Sequence, residues 1–170
     1  MMSYMFEGDI GDKWDKGNLP EISQVSPVDH LKYFENHPQI KNPKKTIWIN
    51  GCFDVLHAGH IEMIKYAHSL GQRLVVGLDT DARVQEFKGI SRPINTYENR
   101  KRVMEAIRYV DEVVPFGTDD ELIAAIRNSN AHTIVVGEEY KGRVKGSEVV
   151  ENITYFPRMY DLSTTKIISK

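Results

Sequence analysis

Four short apolar runs, each followed by residues at helical spacing, constrain this chain more than any other feature of it. Residues 46–49, 73–78, 112–116 and 132–136 are rich in Ile, Val, Leu, Trp and Phe and read as buried strands, with a weaker fifth around Tyr155 and Phe156. After the first run, Ile61, Ile64 and Ala67 with Met63 and Leu70 give a helix. Asp79-Thr80-Asp81 caps a short helix through Val84 and Phe87. Asn95 with Glu98 pairs as the cap of a helix whose inner face is Val103, Ile107 and Val110, and Thr118 with Glu121 caps one carrying Leu122, Ala125 and Ile126. Strands alternating with helices close by right-handed crossovers into a parallel sheet covered on both faces. The fold class expected is therefore α/β, a doubly wound five-stranded parallel sheet whose ligands bind beyond the carboxyl ends of its strands.

Residues 1–45 stand apart from this pattern. Gly8, Gly11, Gly17 and Pro20 fall among acidic residues without period, so 1–25 read as an irregular leader. Ser26-Pro27-Val28-Asp29 is a helix start, with serine as cap, proline first and an acid in the first turn. Leu31 and Phe34 would pack that helix onto the domain, and Pro38 ends it. A segment this short holds no independent core. It is an N-terminal accessory extension, 1–45, to a domain spanning 46–170.

The formal charge of −2 over 170 residues argues against a nucleic-acid partner held by bulk electrostatics, so an anionic ligand needs locally placed cations. A single cysteine rules out an intrachain disulfide and suits a reducing compartment. No apolar run approaches 18 residues and the first residues lack the layout of a signal peptide, so a cytoplasmic location is expected. No membrane partner is expected either.

The chemistry concentrates where the first strand hands over to its helix, in Asn50-Gly51-Cys52-Phe53-Asp54-Val55-Leu56-His57-Ala58-Gly59-His60. Gly51 is read as relieving a clash in the turn, and Gly59 as admitting a ligand close to the helix start. The unpaired N–H groups of a first helical turn, at the positive end of its dipole, seat a phosphate. His57 and His60, three apart, share one face at the rim of that seat. Phosphate favours the protonated imidazole near neutral pH, which suits both rings to the charge that grows during phosphoryl-type transfer. No G-x-G-x-x-G follows the first strand and no G-K-[S/T] occurs, so dinucleotide redox chemistry and a P-loop lose their usual support.

Other candidates join by position. Lys88, in a polar glycine-flanked loop, can swing over a phosphate, and Gly137 ends the fourth strand on the same edge. Arg100 and Arg108, eight apart, fall two turns apart on one helix and nearly one side of it. Ser163-Thr164-Thr165 supplies hydroxyls and free N–H groups at a second helix start. The plain alternatives are helix-start histidines that cap or face solvent, a solvated loop lysine, an exposed arginine face and an ordinary serine cap. A zinc site from Cys52, Asp54, His57 and His60 fits no usual structural spacing.

The run from Gly51 to His60 resembles the signature of the H-x-G-H nucleotidyltransferase superfamily, the cytidylyltransferase-like enzymes, and Ser163-Thr164-Thr165-Lys166-Ile167 resembles its second signature. The resemblance covers roughly 46–170 and implies a Rossmann-like, HUP-type nucleotidyltransferase fold. Asn50 to Asp54, Lys88-Gly89 with Ser91-Arg92-Pro93, and Gly146-Ser147-Glu148 resemble the adenylyltransferase domain that makes ADP-heptose from heptose 1-phosphate. Arg108 to Val113 and Pro157-Arg158 are similar to glycerol-3-phosphate cytidylyltransferase. Arg158 is followed by Met159, Tyr160, Asp161 and Leu162 rather than by Thr-Glu-Gly, so cytosine contacts from that run do not carry over.

The resemblance implies an enzyme that moves a nucleotidyl group from ATP or CTP to a sugar or polyol phosphate and releases pyrophosphate. By it, His57, His60, Lys88 and Arg100 are catalytic, while Gly51, Cys52, Phe53, Gly59, Gly137, Ser163, Thr164 and Thr165 bind the nucleotide. Asp54, Arg108 and Arg158 would face the acceptor or its phosphate. Mg²⁺ and a homodimer are implied with it, and no protein metal ligand. A non-catalytic nucleotide-binding module on the same fold, and a metal-dependent hydrolase using Cys52, are the readings from other classes.

Overall fold

The computed structural model describes residues 26–36, 44–158 and 167–168. In chain order the elements are α1 (Pro27–Asn36), β1 (Thr46–Gly51), α2 (Ala58–Ser69), β2 (Arg73–Asp79), α3 (Asp81–Lys88), α4 (Tyr97–Glu105), β3 (Glu112–Phe116), α5 (Asp119–Asn128), β4 (Ala131–Gly137) and β5 (Asn152–Phe156). All five strands pair in parallel in the order β3-β2-β1-β4-β5. The chain winds outward from β1 to β3 and then crosses to β4, which puts the topological switch point between β1 and β4. The crossover to β5 has no α-helix and is made by loop and two short 3₁₀ turns, Glu138–Tyr140 and Ser147–Val149.

Alternation along β1 sorts the two layers. Ile47 and Ile49 face a core shared with Leu31 of α1, Ile64 and Ala67 of α2, and Met104 of α4. Trp48 faces the other core, with Val75, Phe116 and the Leu122 and Ile126 pair of α5. Gly77, opposite Asn50 in the β1–β2 register, is needed there, because a Cβ would overlap the Trp48 ring. The indole N–H of Trp48 donates to Asn50 Oδ1 at 3.0 Å.

The helix-start signals at Ser26 and Thr118 carry through into hydrogen bonds. Ser26 Oγ accepts the Asp29 amide at 3.2 Å and donates to the Asp29 carboxylate, and α1 packs on α2 with His30 edge-on to Tyr66. The Phe34 side chain lies outside the described residues. Thr118 accepts the Glu121 amide at 3.1 Å, while the Glu121 carboxylate reaches back one residue further, to the Gly117 amide.

α4 departs from the sequence reading. Thr96, not Asn95, is the cap, and the helix ends at Glu105. Its buried residues are Arg100 and Met104, whereas Val103 is 52% exposed. Ile107 and Val110 do pack against the core, but from the stretch beyond the helix. The helical period was read from apolar residues, and the residue this helix buries first is an arginine.

Candidate functional site

The carboxyl ends of β1, β2 and β4 and the start of α2 form the site. His57 is the N-cap of α2, in extended backbone, and its amide donates to Nδ1 of His60 at 3.4 Å. His60 and Ile61 amides both turn back to the His57 carbonyl, at 2.9 and 3.3 Å, which leaves the first two N–H groups of the helix aimed outward. The two imidazoles stack, with ring centroids 3.8 Å apart and planes 25° from parallel. The Phe53 ring stands edge-on to His60 at 5.5 Å.

Phe53 holds that ring from a left-handed backbone with φ of 43°, a conformation that costs a side-chain-bearing residue on the order of 1–2 kcal/mol. The strain of the turn therefore sits at Phe53 and not at Gly51, where a Cβ would meet only the Phe53 ring at an ordinary 3.4 Å. The clash expected at Gly51 is absent.

Both imidazoles are held toward the neutral form. Burial pushes His60 down to about 4, helped by the charges of His57 and Lys88, and burial with the charge of Arg158 lowers His57. Nδ1 of His57 is buried without a hydrogen-bond partner among the described residues. A site with two neutral rings, an orphan ring nitrogen, two open amides and cations close by is short of negative charge. An anion placed there would satisfy the nitrogen and favour protonation of the rings.

Lys88 ends α3 instead of lying in the following loop, and Gly89, at φ of 89°, turns the chain away behind it. It is exposed, forms no ion pair with another described residue, and its charge acts on Cys52, His60 and Asp79. Arg158 is likewise exposed and within electrostatic reach of His57. Gly137 ends β4, and the space a side chain would take there is filled by the Glu139 carboxylate. The anion seat thus lies on the α2 side, and the β4 end of the site is acidic. Gly59 sits in the first turn of α2 between the two histidines.

Three residues named in the sequence reading have other employment. Asp54 is buried and accepts from the amides of Ile94 and Asn95 at 2.9 and 2.8 Å and from Arg92 Nε at 2.8 Å, while its own carbonyl takes the Asn95 side-chain amide. Burial alone would raise its carboxyl, but these bonds outweigh it and hold the group below the ordinary value. Both carboxylate oxygens are thereby engaged within the protein.

Arg100 is 2% exposed and donates to the carbonyls of Asn95, Cys52 and Asp79 at 3.0, 2.7 and 2.8 Å and to the Asp81 carboxylate at 2.7 Å. Its donors are committed to these acceptors within the protein. Arg108 lies beyond the end of α4, exposed, with its guanidinium over the Tyr109 ring and bonded to the Tyr109 hydroxyl. Tyr109 packs on His68, at the far end of α2 from His57, roughly 16 Å along the helix axis. The two arginines therefore share no face.

The Cys52 carbonyl serves Arg100, and burial pushes its thiol up, away from the thiolate a hydrolase would need. Among the described residues no group of three or more His, Cys, Asp or Glu is placed to hold a metal ion. Ser163, Thr164 and Thr165 lie outside the described residues. Sequence reasoning missed the roles of Arg92, Asn95, Asp79 and Asp81 in this lattice. The one available signal was an acid, Asp54, set inside the apolar run Phe53 to Leu56, because a carboxylate there has to be met by donors from elsewhere.

Beside the same turn, a cavity of about 200 Å³ is lined by Asp54 and Arg100 together with residues that include Phe53, Leu56, Asn95 and Val103. No described helix is long and apolar enough to cross a membrane.

A family model described as cytidylyltransferase-like matches residues 48–170. The bifunctional protein HldE of Campylobacter concisus is 41% identical over 144 residues, covering 82% of this chain and 30% of that protein. Its counterpart of the same name in Sulfurimonas denitrificans is 39% identical over 147 residues, 83% of this chain and 31% of that protein. The chain therefore spans about a third of the length of these curated relatives. Among solved structures, the lipopolysaccharide core biosynthesis protein from Thermoplasma volcanium superposes with a TM-score of 0.55 at 22% identity, covering 68% of this chain and 96% of that one. That likeness is one of fold.

Proposed function

Since the chain belongs to the cytidylyltransferase-like family, we propose that it is a nucleotidyltransferase that joins an NTP to a phosphorylated sugar, as a heptose-1-phosphate adenylyltransferase does. An oxygen of the acceptor's phosphate attacks the α-phosphorus, the bond to the β-phosphate oxygen breaks, and pyrophosphate leaves with the electron pair. The reaction asks the protein for in-line positioning and for cations where charge develops, and for little covalent work. His57 and His60 would lie along the triphosphate with the open amides of α2. Lys88 and Arg158 would bring charge from the two flanks.

The observation that carries this reading is the stacked, neutral imidazole pair at a helix start with an unsatisfied buried nitrogen. Adenylyl transfer to a heptose phosphate is supported by the relatives named HldE and by the resemblance of Asn50 to Asp54 and Lys88 to Pro93 to the domain that makes ADP-heptose. Glycerol-3-phosphate cytidylyltransferase is the second reading, favoured by the run Arg108 to Val113 and by Pro157-Arg158. The acidic β4 end, with Glu139 over Gly137, suits hydroxyl groups better than phosphate. Mg²⁺ belongs to the proposal as a partner of the triphosphate. The described residues build no cage for it, so the protein's share of the work rests on its own cations. A cytoplasmic homodimer is also part of the proposal, and the exposed Ile90, Ile94 and Val103 give it an apolar surface to use.

The test is a matrix of the four NTPs against heptose 1-phosphate, glycerol 3-phosphate and related phosphates, read as pyrophosphate. Release with ATP and heptose 1-phosphate is expected. Release only with CTP and glycerol 3-phosphate would install the second reading, and nucleotide binding with no release in any cell would reduce the chain to a binding module.

A further inference from the structure

Residues 81–94 leave the sheet at the end of β2 and return at the start of α4, and the Lys88 of this excursion carries the only described ammonium charge that acts on His60. Its tip, Lys88 to Ser91, is exposed and is held by the helix end, where the Gly89 amide donates to the Gln85 carbonyl at 2.8 Å, and by the Arg92–Gly89 turn bond. Its base is held by two guanidiniums: Arg83 ties α3 to the Asp79 carboxylate at 3.0 Å and to Asp119 at 2.7 Å, and Arg100 spans both ends. Arg100 takes the Asp79 carbonyl and the Asp81 carboxylate at the outgoing end, the Asn95 carbonyl at the returning end, and the Cys52 carbonyl of the β1–α2 turn. Asp54 repeats the stitch on the returning end, through Arg92, Ile94 and Asn95. Three segments that have no covalent reason to keep register are thus locked to one another a few residues from His57.

We propose that Arg100 is a positioning residue that keeps the segment carrying Lys88 in register with the β1–α2 turn, alongside Arg83 and with the Asp54–Arg92 stitch as its auxiliary. A planar fork with five donors in fixed directions can serve four acceptors on three segments, and a lysine ammonium, three donors at one point, cannot. The donors of Arg100 are engaged within the protein, so its effect is expected to reach the chemistry through Lys88 and the Cys52 turn. The proposal rests on the anion seat of the reading above.

The coupling between the two residues tests it. Binding of ATP and of inorganic tripolyphosphate is measured by calorimetry for the full chain, for Lys88→Ala, for Arg100→Lys and for the double variant. Lys88→Ala is expected to weaken binding about tenfold in the wild-type background and less than about threefold in the Arg100→Lys background, the non-additivity of residues that act as one unit. If Arg100→Lys does not fold, Asp81→Asn, at a half-exposed position, replaces it in the cycle with the same expectation in smaller degree. A tenfold loss in both backgrounds, with only a lower melting temperature for the Arg100 variant, overturns the proposal and leaves Arg100 a stabilising residue. Failure of the wild-type chain to bind either probe overturns the anion seat itself, and the proposal with it.

Discussion

Two clusters of polar side chains lie within a few residues of each other along the β1–α2 turn, and they differ in what they have left to give. Around His57 and His60 the groups are under-used among the described residues: a buried ring nitrogen without a partner, open helix amides, and a lysine with no ion pair. Around Asp54 and Arg100 the carboxylate and the guanidinium are each met by several partners from the protein itself. Charge near a site does not make a ligand group. Unspent hydrogen-bonding capacity does, and the difference predicts that changes in the first cluster lower turnover with the fold intact, while changes in the second cost stability and reach the chemistry only through the placement of Lys88 and the Cys52 turn.

The sharpest separation comes from Arg100→Leu. It leaves three backbone carbonyls and the Asp81 carboxylate without their donor, and chemical denaturation should show a loss of about 3–5 kcal/mol. His57→Ala and His60→Ala should do the reverse. Each is expected to lower kcat by about 10²–10³-fold, near the value of one preorganised donor at a developing charge, with a melting curve close to wild type. A His60 variant that unfolds readily, or an Arg100→Leu variant as stable as wild type, would erase the distinction.

Asp54→Asn is a milder probe of the saturated cluster. The folded carboxyl lies below its unfolded value of about 3.9, so its contribution is complete above that pH and is lost as pH falls from there through the folded value. The wild-type protein should lose stability on that acid limb, and the asparagine variant, less stable at neutral pH, should show a shallower one in denaturant midpoints measured between pH 5 and 2. His30 gives the smallest and most distant effect. Burial lowers it to about 4 against about 6.5 unfolded, so α1 should lose docking stability as pH falls through that window. His30→Gln should flatten this part of the pH profile of stability without touching the kcat profile.

The sheet was legible because its strands are written in β-branched and aromatic residues with no competing pattern, and residues 112–116 coincide with β3 end to end. The anion seat was legible because a strand, a turn and a helix start leave open amides wherever they occur, and the two histidines fall on that turn. The saturated cluster was not. Apart from the bond from Arg100 to Asn95, its bonds run 19 to 48 residues along the chain, from Arg100 to Asp81 and Cys52, and no local period encodes them. An arginine in the buried row of α4 looks, in one dimension, like an exposed arginine on the opposite row. The Arg100–Arg108 pairing failed for the same reason, since the helix ends between them at Glu105 and only packing fixes where it ends.

The central claim is that the paired imidazoles receive the triphosphate. It is tested most directly by following the ring Cε1–H resonances of His57 and His60 with pH, in the free protein and with saturating ATP. In the free protein His60 should titrate near 4. With ATP bound, both rings should titrate higher, toward neutrality, and nucleotide binding near pH 6 should take up protons. Titration curves that do not move when ATP is shown to be bound would contradict the account.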